Sequence, residues 1–174
     1  DDLLPHPSGG PFLTLIQPSI AMFEPDIPQN AGAIMRLCAC LDLPLHIIEP
    51  CGFLLDDRKL RRAGMDYLEG VSLSRHADWS AFSEESGGAR RVLASAHADT
   101  LLPDFIFEPG DIIVMGRESA GAPDYVHEAC QHRVRLPLAP RQRSINVAQA
   151  ASIFAFEACR QLNWFTHLGD DDRG

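Results

Sequence analysis

The stretch Asp111-Ile112-Ile113-Val114-Met115-Gly116-Arg117-Glu118-Ser119-Ala120-Gly121-Ala122-Pro123 decides the fold. Asp111–Met115 reads as a strand whose last four residues are all large and apolar. A run with no polar alternation suits a strand covered on both faces, as strands of parallel sheets are. It stops at Gly116, and a helix over Pro123–Cys130 has proline in its first turn. Strand, glycine turn and helix form the unit of an α/β domain, where ligands bind beyond the carboxyl ends of the strands.

The same alternation extends in both directions. Strands are expected at Ser19–Phe23, Pro44–Ile48, Val71–Leu73, Arg91–Ser95 and Arg133–Leu136. A helix opens at Pro28-Gln29-Asn30, with Ile34, Leu37, Cys38 and Leu41 on one apolar face. Further helices are expected at Asp56–Ala63, Ala77–Glu85 and Ile145–Leu162, the last with a stripe of Val147, Ala150, Ala151, Phe154 and Ala158. The expected fold is therefore α/β, a mostly parallel sheet flanked by helices. Residues 1–17 read as an N-terminal extension, 18–165 as the domain and 166–174 as a polar tail.

Composition narrows the class. The 174 residues suit one domain, and 45% hydrophobic content is enough for a core. No apolar run is long enough to span a bilayer and no signal peptide is evident, so the expectation is a cytoplasmic protein without a membrane partner. The five cysteines lack paired spacing and read as core thiols. No His, Cys or acidic cluster has metal-ligand spacing, so no metal is expected. A net charge of −9 opposes bulk binding of nucleic acid, yet two basic runs, Arg58–Arg62 and Arg133–Arg143, leave room for local phosphate contacts.

Three segments place polar residues and glycines just past strand ends. The first is Pro28-Gln29-Asn30-Ala31-Gly32-Ala33-Ile34-Met35-Arg36, the second runs from Met115 to Pro123, and the third is Leu136-Pro137-Leu138-Ala139-Pro140-Arg141-Gln142-Arg143-Ser144-Ile145-Asn146-Val147-Ala148. Taken singly, Asn30 and Ser144 read as helix N-caps and Glu118 as an acid near a helix start. The second segment is not the G-x-G-x-x-G dinucleotide fingerprint, which speaks against a nucleotide-dependent oxidoreductase.

Together, in order and spacing, the three resemble the motifs of the SpoU branch of the SPOUT methyltransferases. The resemblance covers about Ser19 to Leu162 and is strongest to the small TrmL type, which methylates the wobble ribose of tRNA. Leu45–Phe53, Leu60–Tyr67 and Glu157–Leu162 add to it. It implies a C-terminal deep trefoil knot, S-adenosylmethionine as cofactor, a homodimer, and transfer of a methyl group to the 2'-hydroxyl of the wobble cytidine or uridine of tRNA, with leucine tRNA the expected substrate. Matched by motif, Arg36, Asn30, Glu118, Ser144 and Asn146 take catalytic positions, with Asn30 expected to hold Arg36. Ser95, Gly116, Leu136 and Ser144 take cofactor-binding positions. The second motif has Arg117 where some relatives have proline. An rRNA ribose as substrate, or a binding module without turnover, are the competing readings; the joint presence of Arg36, Ser144 and Asn146 opposes the latter.

Overall fold

The computed structural model describes residues 17–54 and 71–169. Its elements are β1 (Ser19–Phe23), α1 (Pro28–Leu41), β2 (Leu45–Ile48), β3 (Leu73–His76), α2 (Trp79–Ser86), β4 (Arg91–Ala94), β5 (Thr100–Leu101), β6 (Ile112–Met115), α3 (Asp124–Ala129), β7 (His132–Arg135) and α4 (Val147–Gln161), with short 3-10 turns at Leu102–Asp104 and Trp164–His167. The seven described strands form one sheet in the order β3-β2-β1-β6-β4-β7-β5. Every neighbouring pair is parallel.

Strand periodicity divides the core into two layers. Ile20, Met22, Leu45, Ile47, Ile113, Met115 and Val134 point to one face. There they meet Ala31, Ile34, Met35 and Cys38 of α1 and Ala151, Phe154, Ala155, Ala158 and Cys159 of α4. Ala21, Phe23, Ile48, Leu93, Ile112 and Val114 point the other way, against Phe82 of α2 and Val126 of α3. All four residues of β6 are buried, as its unbroken apolar run requires. Trp164 closes the first layer, donating its indole N–H to the Leu41 carbonyl at 2.9 Å.

Most strand and helix bounds fall within about two residues of expectation, but β3, expected at Val71–Leu73, runs Leu73–His76 and shares only Leu73 with it; three further differences are of substance. The two-residue β5 was not foreseen; it is too short to carry a periodic signal. At α1 the N-cap is Ile27, without a side-chain cap, and Pro28 fills the first turn. At α4 the cap is Asn146 rather than Ser144: its Oδ1 accepts from the N–H groups of Ala148 and Gln149 at 2.8 and 3.3 Å. Cys38, Cys130 and Cys159 are buried as expected, but Cys40 is exposed and Cys51 only half-buried. Burial and the neighbouring Cys159 push the Cys38 thiol up to about 12. The helix expected at Asp56–Ala63 lies outside the described residues, as do residues 1–16 of the extension and 170–174 of the tail.

Two polar clusters brace the sheet. Asp111, 1% exposed at the foot of β6, receives Arg90 Nε on one oxygen and Arg90 Nη2 on the other, both at 2.8 Å, and the Glu108 N–H as well. At the far side, His76 Nδ1 lies 3.0 Å from Glu85 Oε2, and His46 Nδ1 lies 3.0 Å from His76 Nε2. His76 thus bridges His46 on one side and Glu85 on the other. Burial, then the neighbouring His76, lowers His46 to about 4.

Removing one member of a paired buried charge costs about 3–5 kcal/mol. Arg90 keeps a quarter of its side chain in solvent, so Asp111→Ala is expected to cost about 3 kcal/mol, read from the shift in urea-unfolding midpoint. A loss under about 1 kcal/mol would mean that Arg90 re-solvates freely. A pH effect follows from His46. Its folded value, about 4, lies below the ordinary 6.5, so the unfolded chain takes up the proton first. The His46 contribution to stability should be fully present above about pH 6.5 and be lost as pH drops from there toward 4. His46→Gln should flatten that slope in urea titrations at stepped pH.

Candidate active site

Parallel strands bring their carboxyl ends to one edge, and β1, β6, β4 and β7 are adjacent there. Beyond β4, β6 and β7 lies a cavity of about 590 Å³. Ser95 enters from the end of β4, Gly116 and Glu118 from the turn after β6, and Leu136 from the end of β7. The segment between β7 and α4 contributes Ser144 and Asn146, and the first turn of α1 contributes Asn30. Seven of the eight residues expected at the site thus line one space. Met115, Val147, Ala150 and Phe154 give it an apolar wall.

Arg36 is the exception. It is exposed on α1 and is not among the cavity-lining residues. Six residues beyond Asn30 correspond to about 9 Å of rise and roughly 120° of turn from its direction. Asn30, within the cavity, accepts on its Oδ1 from Asn146 Nδ2 at 2.8 Å. Asn146 therefore joins the start of α1 to the start of α4 while capping the latter.

The turn after β6 is fixed by close backbone packing. A Cβ on Gly116 would lie 2.8 Å from the Gly121 carbonyl carbon and 2.9 Å from Ala122 N, so a side chain there cannot be accommodated. Arg117 N–H donates to the Gly121 carbonyl at 3.1 Å, and Gly121 N–H returns a bond at 2.9 Å. Gly121 has φ +65°, the left-handed region that glycine favours. The Arg117 guanidinium is ion-paired with Glu24 at the end of β1 and sits 5.3 Å over the Phe23 ring.

Asp26, two residues before the first motif, was not singled out by the sequence. Its N–H donates to Glu118 Oε2 at 3.2 Å, Glu118 N–H donates to Asp26 Oδ1 at 3.3 Å, and the Ser119 hydroxyl donates to Asp26 Oδ2. Burial, then the hydrogen bond with Asp26, holds Glu118 above its usual range; the same hydrogen bond is the main cause that lowers Asp26. Arg135 and Arg143, from the second basic run, line the cavity together with Arg117, His97 and His127. The first basic run lies outside the described residues. Among the described residues no group of three or more His, Cys, Asp or Glu is placed to hold a metal ion, and no helix is long and apolar enough to cross a membrane.

The tRNA (cytidine(34)-2'-O)-methyltransferase of Beijerinckia indica is 49% identical over 156 residues, which is 88% of this chain and 98% of the relative. The protein of the same name from Ancylobacter novellus is 46% identical over 153 residues, 87% of this chain and 97% of the relative. A solved structure concerned with the 2-OH methylation of C/U34 on tRNA superposes with a TM-score of 0.81 at 40% identity, covering 84% of this chain and 97% of the other. The family model for the SpoU rRNA methylases matches residues 17–156, a span that contains all three motifs and every residue of the cavity, and the chain belongs to the SpoU rRNA methylase family.

Proposed function

We propose that this chain transfers a methyl group from S-adenosylmethionine to the ribose 2'-hydroxyl of the wobble nucleotide, cytidine or uridine, of tRNA, with leucine tRNA as substrate. The observation that carries the reading is the single cavity at the strand ends, which gathers Asn30, Gly116, Glu118, Leu136, Ser144 and Asn146 from three distant motifs. The near full-length similarity to proteins named for that reaction supports the substrate.

The residues present fit the cofactor. A volume of about 590 Å³ is in the range of small-molecule sites. Ser95, Gly116 and Leu136 offer backbone groups at the strand ends for a polar nucleoside edge, and Val147, Ala150 and Phe154 cover an apolar one. A threaded segment between β7 and α4, as in the family's trefoil knot, would hold Leu136 and Ser144 around it. When bound, the cofactor supplies an electrophilic methyl group. The chain's task is then to present the ribose and manage its proton.

Ser144 and Asn146 stand where they can orient the ribose, with Asn146 held in place by Asn30 and by the backbone of α4. Arg36, outside the cavity, belongs to the acceptor side of the reaction. An arginine is a poor base, but its charge stabilises an alkoxide as the hydroxyl proton passes to solvent water. The two basic side chains Arg135 and Arg143 offer contacts for phosphates of a chain whose overall charge is unfavourable for RNA.

The active unit is a homodimer built on α4. Ile153 and Phe156 of that helix are 45% and 57% exposed, and Phe156 packs its ring 5.2 Å from Phe165. They border a groove formed with Leu102, Pro103, Leu136 and Pro137, so the outer face of α4 continues toward the cavity. A helix with apolar residues on both faces is expected to bury both. Such an enzyme would work in the cytoplasm, with its RNA.

Two measurements test the reading. Arg36→Ala should lower methyl transfer to tRNA by about 100–1000-fold. Its affinity for S-adenosylhomocysteine, measured by calorimetry with chelator present, should stay near that of the parent. Mapping of the product should place the methyl on the wobble ribose; a methyl confined to rRNA, or near-parental transfer by Arg36→Ala, contradicts the assignment. Phe156→Glu should shift light scattering at micromolar concentration from dimer to monomer. A parent protein that is already monomeric there would refute the dimer.

A further inference from the structure

We infer that Asp26 is the positioning residue of Glu118: the two carboxyl groups share one proton, and through it Asp26 sets the charge and the hydrogen-bonding role that Glu118 presents to the cavity. Glu118 lines the cavity and Asp26 does not, so Asp26 acts through its partner.

The reciprocal backbone bonds force this pairing. Each residue's carboxyl oxygen accepts from the other's main-chain N–H, at 3.2 and 3.3 Å, which lays the two carboxyl groups side by side. Two carboxylates in such contact repel by several kcal/mol at an effective dielectric constant of about 20, and one retained proton removes that repulsion. The Ser119 hydroxyl donates to Asp26, which favours the negative charge there and leaves the proton on Glu118. Opposed shifts, Glu118 up and Asp26 down, agree with that division.

Asp26 cannot withdraw. A Cβ added to Gly52 would sit 2.9 Å from Asp26 Cα, and Gly52 N–H donates to the Pro25 carbonyl at 3.0 Å, so this glycine backs the contact directly. Other ionisable groups lie on the neighbouring segments. Arg117, beside Glu118, is occupied by Glu24 of β1. His127 of α3 and Arg143 of the segment before α4 line the same cavity. Glu49, on the segment leading to Gly52, is paired with Arg75 of β3. With the one proton in place, Glu118 can donate a hydrogen bond to a ligand as well as accept one, and the pair carries a single negative charge.

The consequence for catalysis rests on the methyl-transfer reading, but the pairing is tested apart from it. Side-chain carboxyl carbons of the full chain are followed by ¹³C NMR against pH. In the parent, Glu118 should titrate above its ordinary 4.5 and Asp26 below its ordinary 3.8. Burial and the hydrogen bond with Asp26 both raise Glu118; Asp26→Asn removes the carboxyl partner, so the Glu118 inflection should move down. An unmoved inflection in folded Asp26→Asn overturns the proposal, and so does an ordinary value for Glu118 in the parent, a result that needs no variant to fold. In the methyl-transfer assay the pH profile of Asp26→Asn should shift the same way, while S-adenosylhomocysteine affinity changes by less than about threefold. A parent that shows the NMR signature yet methylates no tRNA would leave the pairing established and refute the proposed function alone.

Discussion

β6 has no free side. Its two neighbours take its backbone hydrogen bonds and two helical layers take its side chains, so Ile112–Met115 can hold nothing polar. Chemistry is thereby expelled to the strand's two ends. At the foot, Asp111 is tied to Arg90 and to the Glu108 N–H. At the head, the chain leaves through Gly116 into a turn whose backbone is locked by Arg117 and Gly121. Every functional group described here lies at that head or on a segment that packs around it.

The arrangement explains how segments outside the strands make a defined site. Strand ends are positioned by the sheet, and the turn after β6 is positioned by contacts too close for a side chain. Asn146 converts the loop before α4 into a capped helix start and spans to α1 in the same stroke. Arg117 adds a tie from this turn to Glu24 and Phe23 of β1. Rigidity near the site therefore comes from reciprocal polar contacts between elements rather than from burial alone.

The central strands β1 and β6 were readable because they are buried on both faces and bounded by proline or glycine, a signal that survives without alignment; β3, with Ser74, Arg75 and His76, gave a weaker one and was expected two to three residues too early. Asn146 was recognised as a site residue through its motif, but its role as cap was assigned to Ser144, since both are good caps two residues apart. Pro28 explains the similar misreading at Asn30: proline sets the first turn and no side-chain cap is needed there. Asp26 stayed hidden for a different reason. Its meaning is a contact with Glu118, 92 residues away, and nothing local in the sequence announces a partner at that distance. Arg36 was legible only by resemblance, and its place outside the cavity depends on helix phase, which a motif does not state.

The Asn30–Asn146 bond also has a temporal meaning. Its partners are 116 residues apart, and the indole of Trp164 reaches back 123 residues to Leu41. A ribosome adds about 5–20 residues per second, so roughly 6–23 seconds separate the synthesis of the two halves of this bond. During that interval β1, α1 and β2 can pair, but the space beside Asn30 has no roof. The growing chain therefore carries no methyl-transfer site until α4 has emerged, and an incomplete product cannot consume cofactor or modify RNA.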